Sequence, residues 1–143
     1  GKGGRGTTPI GSIGTVDQHS QLQLYIDGPD DKFFTLIKVT KRKKGKKIRP
    51  IVRRNSDLNF LYNRTIDDVM NCQLKVTKSM LIRNKRPVRL LEIAKIDEKG
   101  LGSLMMHFIL ETIIVGNLDK INVFNQPAVE SGKKLAKKYL RDI

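Results

Sequence analysis

Three side chains in this sequence sit where they could handle a polyhydroxyl or phosphorylated ligand: His19, Gln126 and Lys133. His19 follows Thr15-Val16-Asp17-Gln18, a Thr with Gln three residues later, which fits a capping box. That spacing puts His19 in the first turn of a helix. The positive end of the dipole there favours a neutral ring, able to exchange a proton with a hydroxyl or ring oxygen. Gln126 stands just before Pro127 at another helix start, where an amide can donate and accept and where anions are favoured. Lys133 follows Gly132, which falls on an apolar stripe with Val129, Ala136 and Tyr139. A missing side chain on that stripe permits close backbone approach, so Lys133 would project from the edge of a packed face. A cation there can steady a developing alkoxide or hold a phosphate. Each residue also has a plainer use, as a cap or a solvated lysine, and on spacing alone the plainer use is the commoner one.

Other reactive types carry less. His107 and Glu111 lie four apart on an apolar helix, but no third ligand has metal-site spacing, so a satisfied polar couple in the core is expected. Cys72 has no activating histidine near it in sequence and reads as a small buried helix residue. As the single cysteine it excludes an intramolecular disulfide and makes a reducing, cytoplasmic setting the expectation. Gly1-Lys2-Gly3-Gly4-Arg5-Gly6-Thr7-Thr8 lacks the Gly-x-x-x-x-Gly-Lys-Ser/Thr order of a phosphate loop, and no strand precedes it.

The elements that must position these residues alternate. Residues 1–14 are Gly/Thr/Ser-rich and read as an extended segment. A helix from Thr15 ends at Asp27-Gly28-Pro29, and Phe33-Phe34-Thr35-Leu36-Ile37 reads as a strand buried on both faces. Thr65, followed by Asp67 and Asp68, caps a helix with Ile66, Val69, Met70, Gln73, Val76 and Met80 on one stripe; Asn84 and Pro87 close it. Val88, Leu90, Leu91, Ile93 and Ile96 form a second strand. Asp97 or Glu98 then caps a third helix, apolar on so many sides that it should be almost fully buried, and Gly116 should end it. Its apolar run, residues 101–115, reads as too short to span a bilayer, and no apolar run follows the N-terminus as in a signal peptide. The last helix starts at Pro127. The expected fold is therefore α/β, a partial parallel sheet flanked by helices. Two strands are too few for a doubly wound domain, so the sheet edge should need a partner or more chain.

A chain of 143 residues fits one domain. Its net charge of +14 is uneven: ten of the seventeen positions 38–54 are Lys or Arg and none is acidic. Basicity thus belongs to one loop, 38–56, which reads as solvated.

Two longer segments then point to a family. Phe124-Asn125-Gln126-Pro127-Ala128-Val129-Glu130-Ser131-Gly132-Lys133 is similar to the C-terminal signature of glucose-6-phosphate isomerases. Thr15-Val16-Asp17-Gln18-His19-Ser20-Gln21-Leu22-Gln23-Leu24-Tyr25 resembles the bacterial form of that family's histidine segment. Arg86-Pro87-Val88-Arg89-Leu90 and Leu101-Gly102-Ser103-Leu104-Met105-Met106 look like it too, in the same order. The resemblance implies the back half of a C-terminal sugar-isomerase (SIS) domain. It also implies interconversion of glucose 6-phosphate and fructose 6-phosphate, in glycolysis and gluconeogenesis, with no metal or cofactor. His19 would assist ring opening across a dimer interface, Lys133 would act at the ring oxygen, and Gln126 would contact the phosphosugar.

Departures bear on activity. The family's base is a glutamate in a Glu-Ser-x-Gly-Lys type motif, which on this alignment would lie just ahead of Gly1. The phosphate-gripping Ser/Thr loop and an active-site arginine would lie further ahead. Asn125 and Ala128 stand where aspartate and glycine are usual. The expectation is an isomerase portion inactive alone, a homodimer or an associate of the missing N-terminal part. The alternative is a non-catalytic module that contacts nucleic acid or another polyanion through positions 38–54. Aromatic interleaving there is poor, with Phe60 and Tyr62 just after the run, so stacking on bases is unsupported.

Overall fold

The computed structural model describes residues 2–41, 45–49 and 56–142. The described elements run α1 (Gly14–Ser20), α2 (Leu22–Asp27), β1 (Phe34–Val39), a short 3-10 helix (Ser56–Leu61), α3 (Ile66–Arg83), β2 (Val88–Ile93), α4 (Glu98–Leu118) and α5 (Pro127–Arg141). The fold is α/β, with β1 and β2 paired in parallel and in register from Phe34–Val88 to Val39–Ile93. Two compact units divide the chain, residues 10–101 and residues 1–9 with 102–143, and the boundary falls within α4. Part of the expected basic loop, positions 42–44 and 50–55, lies outside the described residues.

In the unit Ile10–Leu101, α3 is the organising element. Thr65 and Asp68 form a reciprocal capping box: the Thr65 hydroxyl accepts from the Asp68 amide at 3.1 Å, and the Asp68 carboxylate accepts from the Thr65 amide at 2.8 Å. The buried face of α3 is centred on Leu81 and Thr77, not on the expected stripe. Ile66, Met70 and Val76 are exposed, and so is Cys72, contrary to its expected burial. The apolar residues of α3 lie on more than one side, so periodicity alone could not say which side meets α1, α2 and β2. The sheet also departs from expectation: Ile37 is 45% exposed, because a two-stranded sheet leaves a face and both edges open.

Across the sheet the register partners Lys38 and Glu92 form an ion pair at 2.7 Å. The hydrogen bond from the Lys38 ammonium holds the Glu92 carboxyl below its ordinary value of 4.5. Folding lowers this pKa, so the pair's contribution is present above pH 4.5 and is lost as pH falls through the lowered value. Glu92→Gln should flatten the acid limb of a stability–pH profile below pH 4.5 and leave it unchanged near neutrality apart from a constant offset. Thermal melts at a series of pH values read this out.

In the other unit, α4 runs to Leu118, past the stop expected at Gly116. It ends in a Schellman motif: the Ile121 amide donates to the Gly116 carbonyl at 2.7 Å and the Lys120 amide to the Asn117 carbonyl at 3.0 Å. Lys120, at φ 57°, occupies the left-handed position that glycine usually fills. Gly116 serves packing instead, since a Cβ there would sit 2.0 Å from Cγ1 of Val123 on the returning chain. Gly116→Ala should therefore destabilise by about 1–2 kcal/mol, the crowding outweighing alanine's helix preference. In a Val123→Ala background, denaturant melts should show the same change as neutral or stabilising.

The expected burial of α4 is not found. Leu101, Met105, Met106, Ile109, Leu110 and Ile114 are all about half exposed or more, and Gly116 is the buried residue of the helix. An apolar face of this length implies cover, and among the described residues this one has little. At 21 residues, α4 is also longer than the apolar run read from sequence, and by length and composition alone it could cross a membrane. α5 is amphipathic, with Val129, Leu135, Tyr139 and Leu140 exposed along one side.

Candidate functional site

The segment carrying His19 is built differently from the capping box read in the sequence. Ile13 is the N-cap, Thr15 lies inside α1, and the helix breaks at Gln21 before α2 resumes. Asp17 does the capping, its Oδ2 accepting from the Ile13 amide at 2.5 Å and the Ser12 hydroxyl at 3.1 Å. Its other oxygen accepts from Gln21 Nε2 at 3.2 Å, and the Tyr25 hydroxyl donates to Gln21 Oε1. Asp17, Gln21 and Tyr25, at successive steps of four, thus form one hydrogen-bonded ladder along the broken helix. The Tyr25 ring also meets Phe34 of β1 at 5.0 Å between centroids. His19, two residues from the ladder on either side, is exposed on the other side of α1. It lies in the last turn of α1, not in the first turn expected from the sequence, and so away from the helix N-terminus. The signal for the ladder was present in the sequence as the i, i+4, i+8 spacing of Asp, Gln and Tyr.

Gln126 and Lys133 belong to the other unit and share α5. Gln126 is its N-cap, with Pro127 at the first helical position as read from sequence. Its side-chain amide makes no capping bond and is exposed, so both its donors and its acceptor face solvent. Lys133, seven residues on, stands on the same side of the helix about 10 Å further along the axis. Between them is Glu130, whose Oε1 accepts from Lys133 Nζ at 2.7 Å. Both partners of that pair are more than three-fifths exposed, so the pair adds little stability and an incoming anion can compete for the ammonium. The close approach expected at Gly132 is not made among the described residues, where a Cβ would meet nothing within 4 Å. Lys133 therefore projects from an open helix face, with Glu130 as its charged neighbour.

Two further features complete this unit. The Lys2 ammonium bonds to the Asn122 carbonyl and to Asn125 Oδ1, and Arg5 Nη1 donates to the Asp119 carbonyl at 2.7 Å. A shallow apolar hollow lies between the C-terminal half of α4 and the chain after it, lined by Ile113, Ile114, Asn117, Ile121, Val123 and Phe124. His107 Nε2 lies 3.9 Å from Glu111 Oε2, but both are partly exposed, so the couple is not a core pair. Among the described residues no group of three or more His, Cys, Asp or Glu is arranged to hold a metal ion.

Comparison with known proteins gives the class and then the family. A crystal structure of a hypothetical protein from Thermus thermophilus matches with a TM-score of 0.85 and 30% identity, covering 94% of this chain and 32% of that one. The chain thus matches one portion of a larger protein's fold. It is 38% identical over 136 residues to the probable glucose-6-phosphate isomerase of Methanococcus maripaludis, covering 95% of this chain and 30% of that protein. It is 33% identical over 135 residues to the glucose-6-phosphate isomerase of Rubrobacter xylanophilus, covering 94% of this chain and 31% of that protein. No family model matches. The chain spans about three-tenths of the length of these curated relatives, and over nearly its whole length it is similar to one part of glucose-6-phosphate isomerases.

Proposed function

We propose that this chain supplies one part of the active site of an enzyme that interconverts glucose 6-phosphate and fructose 6-phosphate, in glycolysis and gluconeogenesis. The observation that carries the reading is the match of nearly the whole chain to relatives named for that activity. In this reading the sheet and helices are the back half of a SIS domain, and the protein works in the cytoplasm. His19 assists opening of the sugar ring and is contributed across a dimer interface. Gln126 holds the phosphosugar through its unengaged amide, and Lys133 exchanges its bond to Glu130 for the ring oxygen or developing alkoxide. Without the base glutamate, proton transfer between C1 and C2 loses a factor on the order of 100 to 10,000, so these 143 residues alone do not turn over substrate.

The uncovered apolar sides of α4 and α5 support the same reading, as surfaces for the rest of the enzyme or for a second copy. A coupled assay tests it. The isolated chain should show no isomerisation above background, and adding the N-terminal two-thirds of a glucose-6-phosphate isomerase should produce turnover. Robust turnover by the chain alone, or none after addition of a soluble, folded partner that binds it, would overturn the reading.

A further inference from the structure

We infer that Lys2 is a positioning residue for Gln126, acting through the turn 122–125; this rests on the proposed role of Gln126 toward a sugar phosphate. Gln126 lacks a capping bond of its own, so the direction of its amide depends on the chain that enters α5. That chain is exposed at Phe124, 83% accessible, and has little packing to hold it. Its internal support is the bond from the Phe124 amide to Asn122 Oδ1 at 2.9 Å. The Lys2 ammonium bonds both ends of the turn at once, the Asn122 carbonyl and Asn125 Oδ1, immediately before Gln126.

The segment bearing Lys2 is shaped for this. Gly3 and Gly4, at φ 57° and 73°, turn the chain through the left-handed region, and the Arg5 amide closes the turn on the Lys2 carbonyl at 3.1 Å. Arg5 then ties the same segment to the Asp119 carbonyl at the end of α4. One short basic segment therefore holds the connection between α4 and α5 at two places. In this inference Lys2 acts through the turn and not on the ligand itself. Its part is to fix the residue that does.

Asn125 makes the idea sharply testable, because a carboxylate there would turn a neutral acceptor into a charged one for Lys2. Amide exchange of the 143-residue chain reads the turn directly. Lys2→Met should speed exchange at 122–126 by about tenfold, while Leu90 and Leu91 of β2 keep their protection. Lys2→Arg should restore most of it. Asn125→Asp should slow exchange at the turn with Lys2 present and do nothing in the Lys2→Met background, a coupling that a merely structural loss does not produce. Exchange at 122–126 within twofold of the parent in Lys2→Met, or equal loosening of β2, would overturn the inference.

A titration with fructose 6-phosphate, followed on the Gln126 side-chain amide signals, separates this from the functional reading. A response in the parent that needs about five times more ligand in Lys2→Met is the expected result. No response in the parent sinks the sugar-phosphate role of Gln126, while the exchange results still decide whether Lys2 holds the turn.

Discussion

Lys133→Ala, introduced into the enzyme assembled from this chain and the remaining two-thirds of an isomerase, is expected to lower kcat by on the order of 100-fold. The KM for glucose 6-phosphate should change much less. The reason is where the charge develops. A lysine that exchanges an exposed ion pair with Glu130 for bulk substrate would gain little in the ground state, since that pair is itself worth little. In the proposed reading the assembled enzyme excludes water from the site, and against a developing alkoxide there the same ammonium would gain far more. Glu130→Gln provides the control: it frees Lys133 from its carboxylate and should leave kcat within a few-fold. Steady-state kinetics on the two variants check both statements. Equal losses in the two would make the Lys133–Glu130 pair, not the Lys133 cation by itself, the feature that matters.

The second large effect is structural. Arg86→Met is expected to destabilise the unit Ile10–Leu101 by about 3 kcal/mol. The Arg86 guanidinium is nearly buried, its side chain 11% exposed. One nitrogen donates to the carbonyls of Ile26 at 2.6 Å and Gly28 at 2.7 Å, and another lies 2.7 Å from Asp30 Oδ1. Methionine keeps much of the apolar stem but leaves two carbonyls at the end of α2 without their donor, each loss costing roughly 1–3 kcal/mol. Lysine cannot replace the fork with a single ammonium. Arg86 also closes α3, its amide donating to the Leu81 carbonyl at 2.9 Å, so one residue joins the end of α2 to the end of α3. Urea melts give the loss in stability. Amide exchange should show residues 22–28 opening first, and with them the broken helix that carries His19.

Much of the fold was legible because its signals are local. Thr65 with Asp68, Asp97 ahead of α4, Pro127 at the start of α5 and the turn at Gly28 each act within one turn of chain, and each is where the sequence puts it. The misreadings have physical causes of two kinds. Where two local devices competed, the rule chose the wrong one: Asp17 and not Thr15 caps α1, and Lys120 and not Gly116 takes the left-handed position after α4. α3 ends the same way, with Lys85 at φ 56° and the Lys85 and Arg86 amides donating to the carbonyls of Ile82 and Leu81. Where the outcome depends on what covers a surface, periodicity is silent. It identifies the apolar residues of α4 but not their exposure, and it puts Gly132 on a stripe that no described residue approaches.

The candidate site followed the same division. Gln126 and Lys133 were legible as a helix start and a helix face. The ties from Lys2 to Asn122 and Asn125 were not, because no pattern along the chain pairs residues 120 and 123 positions apart.

The parallel pairing of β1 with β2 has a kinetic consequence. Register partners such as Lys38 and Glu92 are 54 positions apart, so no hairpin can zip the sheet from a turn. Closing a loop of that length costs roughly 3.5 kcal/mol in chain entropy before the first strand contact forms. α3 lies inside the loop, and its 18 residues, once helical, span about 27 Å as a stiff rod instead of a wandering coil. A formed α3, started by the Thr65–Asp68 box, therefore shortens the search that brings the strands together. A helix cap some way from either strand therefore bears on how fast the sheet can assemble.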